Sequence, residues 1–103
     1  MADTLQRLHD RLGPLGAVDK KMFGGVCFML NGNMVAGTSK QGMLARTGKD
    51  FDTIAAGRDD CRIMDMGGRT MAGYWYVQDS IDDAAFGYWI DTALAHNATL
   101  PPK

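Results

Sequence analysis

Between Lys20 and Arg46 the chain alternates short apolar runs with Gly and Asn punctuation. Asn31-Gly32, set between two apolar runs, is its strongest hairpin signal, because a type I′ turn needs positive φ at both central positions. Antiparallel strands are expected at 26–30 and 33–38, followed by a turn at Gln41-Gly42 and a third strand at 43–46. A short strand at 19–23 is expected to precede them. A meander therefore forms the predicted centre of the fold.

Helical periodicity appears on both sides of it. Leu5, Leu8, Leu12 and Leu15 recur near helical spacing and predict one apolar stripe, with Arg7, Asp10 and Arg11 on the wet side. Asp3 and Gln6 read as a capping box, and Gly13-Pro14 ends the helix because Pro cannot continue the hydrogen-bond ladder. His9 reads as a solvated side chain. After Arg46 the pattern predicts a short helix capped by Asp50, with Phe51, Ile54 and Ala55 inward and Gly57 at its end. Arg58-Asp59-Asp60 reads as a solvated loop.

The segment 61–69 and the aromatic run Tyr74-Trp75-Tyr76-Val77 follow. Strand alternation sends Trp75 and Val77 to one face and Tyr74 and Tyr76 to the other, and these aromatics are expected to pack under the helices. The last helix, capped by Ser80 and opened by Asp82 and Asp83, presents Phe86, Trp89, Ile90, Ala93 and Leu94 at helical spacing. His96 stands near its C-terminal dipole, and Pro101-Pro102 reads as an extended tail. The expected fold is α+β, two-layer, an antiparallel sheet of five to six strands against helices, in the order α-β-β-β-β-α-β-β-α. With 103 residues the chain reads as one domain.

Composition refines this picture at a few points. Hydrophobic residues make up 46%, which argues against disorder. The net charge of −1 divides into +3 over residues 1–51 (seven basic, four acidic) and −4 over residues 52–103 (four basic, eight acidic). No concentrated basic field results, so strong duplex DNA binding is not expected. All twelve acids are Asp, a residue that favours caps and turns over helix interiors. No apolar run reaches the roughly 18 residues of a membrane span, and no secretory signal pattern opens the chain. A cytoplasmic protein is expected. Cys27 and Cys61 show neither CxxC nor zinc spacing. Cys27 reads as a small buried hydrophobe, and reduced thiols are expected for both.

Candidate chemistry is sparse. Gly24-Gly25 and Gly67-Gly68, with Lys20, Lys21 and Arg69 nearby, could form anion-holding nests or partner contacts, although neither GxGxxG nor a P-loop pattern is present. A purely structural turn is the competing reading. Ser39 and Ser80 lie outside any nucleophile elbow. A cysteine nucleophile would need a base from His9 or His96, and the pairs Asp59-Asp60 and Asp82-Asp83 do not face each other on a helix. No catalytic residue, metal site or cofactor is expected. The eight methionines and the exposed edge of a short meander point to a homodimer along a sheet edge or an apolar face, with a Met-rich monomeric core as the competing reading.

Three segments, 20–25 (Lys-Lys-Met-Phe-Gly-Gly), 31–34 (Asn-Gly-Asn-Met) and 64–69 (Met-Asp-Met-Gly-Gly-Arg), occur with the aromatic strand and the terminal Leu100-Pro101-Pro102-Lys103. In this order and spacing they resemble the TfoX N-terminal domain family from about Leu5 onward. Cys27 departs from the small residue, often Gly, expected there, and Thr70 from a common Pro. The resemblance implies a small α/β domain with helices on one face of an antiparallel sheet. It also implies a regulatory or adaptor role in natural competence through a protein partner in the transcriptional machinery. The full-length regulator carries a second domain resembling helix-hairpin-helix modules, and this chain is expected to lack it. A small-ligand or anion sensor using the Gly-Gly loops, and an enzyme whose site needs a partner, are the alternatives.

Overall fold

The computed structural model describes residues 4–22, 25–40 and 42–101. Helix α1 (Thr4–Leu12) ends at the predicted Gly13-Pro14 break in a 3-10 turn, Gly13–Leu15. The meander follows as β1 (Val18–Met22), β2 (Gly25–Leu30), β3 (Asn33–Ser39) and β4 (Gly42–Arg46). A 3-10 turn, Lys49–Phe51, leads into α2 (Asp52–Ala56), then β5 (Cys61–Met66), β6 (Arg69–Val77) and α3 (Asp83–Asn97). The six strands form one sheet in the order β1-β2-β3-β4-β6-β5, with every neighbouring pair antiparallel. The expected α+β architecture is therefore present, and its element order matches. Asn31 (φ 56) and Gly32 (φ 80) make the two-residue turn between β2 and β3. Gly67 (φ 63) and Gly68 (φ 83) make the same turn between β5 and β6.

Helices cover one face. Leu8 and Leu12 of α1 and Phe86, Trp89, Ile90 and Ala93 of α3 bury against Phe28, Val35, Met43, Ala45, Trp75 and Val77. Four fully buried large side chains in that set, Trp89, Phe28, Met43 and Ile90, would each contribute about 1.5–3 kcal/mol by leaving water, before entropy is counted. On the opposite face Cys27, Met34, Leu44 and Met64 form a second buried cluster, flanked by Met29, Met71, Tyr74 and Tyr76. The predicted alternation of the aromatic strand is thus correct. Only Trp75 packs under the helices; the two tyrosines cover the second cluster.

Two irregularities shape the sheet. Phe28 pairs with Ala36 but Met29 pairs with Met34, so Val35 is an extra residue in β3. This bulge puts both Val35 and Ala36 on the helix side, where both are fully buried. In β6, Trp75 faces Ile63 while Thr70 faces Asp65, so β6 takes five steps against two in β5. Gly73 lies inside that insertion. Its N–H donates to both Asp52 carboxylate oxygens, at 3.1 and 3.2 Å, and the Trp75 indole N–H donates to Asp52 at 2.8 Å. The Gly73 carbonyl in turn accepts from Thr47 N–H at 2.9 Å and Gly48 N–H at 3.2 Å.

Several local expectations are corrected. Leu5 and Leu15 are 36% and 51% exposed, so the α1 stripe reduces to Leu8 and Leu12. Arg7 is not simply on the wet side: its guanidinium stacks 4.8 Å from the Phe86 ring and donates to the Ile81 and Asp79 carbonyls. Ile54 is 54% exposed, and no side chain caps the 3-10 turn or α2, because this helix is a single turn that faces the core only through Phe51 and Ala55. The α3 cap is Asp82, which accepts from Ala85 N–H at 2.8 Å, rather than Ser80. The charged loop is built into the core margin. Arg58 grips Asp60 through two bonds of 2.9 and 2.7 Å, and the Trp89 indole N–H donates to the same carboxylate at 3.0 Å. The hydrogen bond from Arg58, with a further one from Trp89, holds the Asp60 carboxyl below the usual range despite its partial burial. The Asp3 cap, Gly24, the Gln41 turn position and the terminal Pro102 and Lys103 lie outside the described residues.

Candidate functional site

The residues expected to hold an anion are dispersed. Lys20 and Lys21 are exposed on the edge strand β1, opposite Cys27 and Val26 of β2. Gly25 begins β2 where an added Cβ would collide with the Thr38 carbonyl, a requirement of strand approach. Gly67, Gly68 and Arg69 occupy the β5–β6 hairpin, with β3 and β4 between that hairpin and the β1–β2 pair. Register places them at opposite strand ends as well. Gly25 lies at the Ser39–Gly42 end of the meander, whereas the β5–β6 turn lies at the Arg46 end. The two groups therefore mark diagonal corners of the sheet. No side chain would meet a Cβ added at Gly67 or Gly68, which leaves that turn open to solvent.

A different place gathers polar groups from several elements. Where β4 ends, the chain passes through Thr47 and Gly48 into the 3-10 turn, beside the β6 insertion and beneath the C-terminal half of α3. A cleft of about 750 Å³ opens there, lined by Arg46, Lys49, Phe51, Tyr74 and His96 among others. That volume falls within the roughly 300–1,000 Å³ of small-molecule sites.

The geometry is held by backbone. Gly48 adopts φ +85, and an added Cβ would meet the His96 ring at 2.5 Å from Nδ1. The imidazole thus lies directly against the glycine, a position that bars any larger residue there. Burial, reinforced by the Arg46 charge and opposed by Asp50, pushes the His96 pKa below its ordinary value and so favours the neutral ring. The Arg46 guanidinium stacks 5.4 Å from the centroid of Tyr74, the residue opposite it on β6. Among the described residues neither Arg46 nor Lys49 forms an ion pair or hydrogen bond through its side chain, and the His96 ring makes no hydrogen bond. Thr47 Oγ1 is buried without a hydrogen-bond partner. Asp50 stands exposed at the lip.

Sequence reasoning missed this group. His96 was placed at the dipole end of α3, Arg46 at a strand end, and Thr47 and Lys49 nowhere in particular. No spacing connects positions 46–49 with position 96; only the sheet register and the docking of α3 do. Gly48, a glycine between a strand and a helical turn, was the available signal.

The other candidate reactive groups are occupied structurally. Burial raises the Cys27 thiol pKa, and burial, with the Asp60 charge adding to it, pushes the Cys61 thiol up to about 11. Cys61 Sγ–H donates to the Ala55 carbonyl at 3.3 Å, which ties β5 to α2. The His9 side chain is exposed and edges onto Phe28 with a centroid separation of 4.9 Å. Among the described residues no group of three or more His, Cys, Asp or Glu could hold a metal ion. No described helix is long and apolar enough to cross a membrane.

No curated protein and no solved structure matches the chain. The family described as the TfoX N-terminal domain matches residues 10–97, a span that takes in the whole sheet and α3. The chain belongs to the TfoX N-terminal domain family.

Proposed function

We propose that the domain is a non-catalytic regulatory or adaptor unit that acts by protein–protein contact in transcriptional control of the competence type. Family membership supplies the class. The observation that carries the non-catalytic part is the state of the nucleophiles. A thiol held at about 11, as at Cys61, is almost wholly protonated near neutral pH, and the thiolate is the reactive form. The aspartates that converge on other groups do so in structural bonds, Asp52 at the β6 insertion and Asp60 at Arg58 and Trp89. The charge pattern, which offers no basic recognition helix, supports action through a protein partner over action through DNA.

Transcript profiling of cells lacking the chain, paired with anisotropy titration of duplex DNA, tests this reading. The expected result is a set of altered transcripts restored by the wild-type chain, with only non-specific duplex binding in the range of about 10⁻⁴–10⁻⁶ M at physiological salt. Sub-micromolar, sequence-selective duplex binding would replace protein contact with direct DNA reading. Unchanged transcripts would remove the regulatory role.

A further inference from the structure

The cleft beside α3 carries an inference that goes beyond the regulatory reading and stands independently of it. Buried polar groups in native proteins nearly always find partners, so an unpartnered one calls for an explanation. Here Thr47 Oγ1 is buried without a hydrogen-bond partner beside a cleft lined by Arg46, Lys49 and His96, whose side chains make no hydrogen bond or ion pair among the described residues. Three other arginines are ion-paired: Arg7, Arg11 and Arg58 each reach an aspartate, at 3.4, 2.6 and 2.7 Å. Among the described residues Arg46 reaches no aspartate.

We propose that this cleft binds a small organic monoanion, a carboxylate on a compact apolar body, with Arg46 and Lys49 taking the carboxylate.

The charge balance selects a monoanion. Arg46 and Lys49 supply two positive charges, and Asp50 at the lip removes one. A polyphosphate or a dianion would remain under-compensated and would be repelled by Asp50. The guanidinium fork matches a carboxylate in two-point geometry. The apolar body is selected by the walls: Phe51, Ile54, Ala72, Ala95 and Leu100 line the same space. Ile54 is 54% exposed, and a bound apolar group would cover it. Tyr74 already holds the Arg46 head in place, which lowers the ordering cost of binding. The half-buried His96 imidazole can hydrogen-bond to a bound molecule.

Phenylacetate is a suitable probe, with phenylacetamide as its neutral match and inorganic phosphate as a bare anion. Chemical-shift titration of the whole chain should show saturable phenylacetate-dependent shifts at the amides of Thr47, Gly48 and His96. Phenylacetamide should bind at least about tenfold more weakly, the scale expected when a charge-assisted hydrogen bond is lost. Arg46→Gln should weaken phenylacetate to a similar degree, and Lys49→Ala, at an exposed position, supplies a variant with no packing role. Lys20→Ala on the distant β1 edge should change nothing. Three results would overturn the proposal: no saturable shift at these amides, equal affinity for the acid and the amide, or undiminished phenylacetate binding by both Arg46→Gln and Lys49→Ala. Phosphate binding as tight as phenylacetate would also overturn it, since the site would then be a bare anion hole. None of these results bears on transcript changes or duplex binding, so the cleft and the regulatory role fail separately.

Discussion

At the scale of single residues, the β5–β6 turn separates a structural glycine from a functional one. Gly67 at φ 63 and Gly68 at φ 83 occupy left-handed backbone with open space around them, so a side chain there is opposed by conformation and not by a clash. Gly67→Val should destabilise the fold by about 1–3 kcal/mol through that strain, whereas Gly67→Asn should cost much less because Asn tolerates the left-handed region. Thermal melts of the two variants decide the matter, and an unshifted melting temperature for the valine variant would show that the turn is not needed for stability. Positions of this kind were readable from the sequence because the turn chemistry is local. Asn31-Gly32 is the clearest case. Arg58 and Asp60 were not readable: their partner Trp89 lies far along the chain, and a local pattern sees only three charged residues in a loop. The α3 cap was ambiguous for a third reason. Ser80 and Asp82 are both competent caps two residues apart, and residue type alone does not decide between them.

At the scale of elements, the sheet depends on one carboxylate that periodicity could not single out. The β6 insertion is pinned by Asp52, which accepts from the Gly73 N–H and the Trp75 indole N–H, and the same glycine carbonyl receives the chain leaving β4. Asp52→Ala leaves two partly buried donors without an acceptor and should cost about 2–4 kcal/mol. Denaturant unfolding should then show a lower midpoint with an unchanged slope. A loss within the ±0.5 kcal/mol typical of neutral surface changes would mean that water replaces the carboxylate, and that the insertion holds without it. Strands and helices were legible as elements because alternation and helical spacing are local properties of the chain. Their order in the sheet and the two bulges were not, since Val35 breaks alternation without any break in composition. The cleft inherits this opacity. It forms where β4, the β6 insertion and α3 meet, and each contributes one or two polar residues that look unremarkable within their own element.

At the scale of the whole molecule, association is argued from the sheet edge and not from the methionines whose side chains are described. Met34, Met43 and Met64 are 6%, 1% and 1% exposed, and Met29 and Met71 are half-buried against the second cluster, so one chain accounts for them. β1, by contrast, pairs only with β2 among the described residues, and its Val18 is 57% exposed. The order of its side chains, Val18-Asp19-Lys20-Lys21-Met22, is self-complementary. An antiparallel copy related by a two-fold axis at Lys20 would set Asp19 opposite Lys21 twice, and Val18 opposite Met22 twice. Such isologous pairing is the commonest route to a soluble dimer, and cross-strand opposite charges contribute roughly 0.2–1 kcal/mol each. Lys20 would face its own copy at the axis, which weakens the pairing and keeps it reversible, in the way edge lysines commonly do. Sedimentation equilibrium at tens of micromolar should therefore show a monomer–dimer equilibrium that tightens in Lys20→Thr. Asp19→Lys alone should shift it to monomer, and adding Lys21→Asp should restore it by exchanging the pairs. A mass that stays at 11.2 kDa across that range for the wild type and Lys20→Thr would leave β1 as a blunted edge. Dimers indifferent to the Asp19→Lys change would place the contact on another surface.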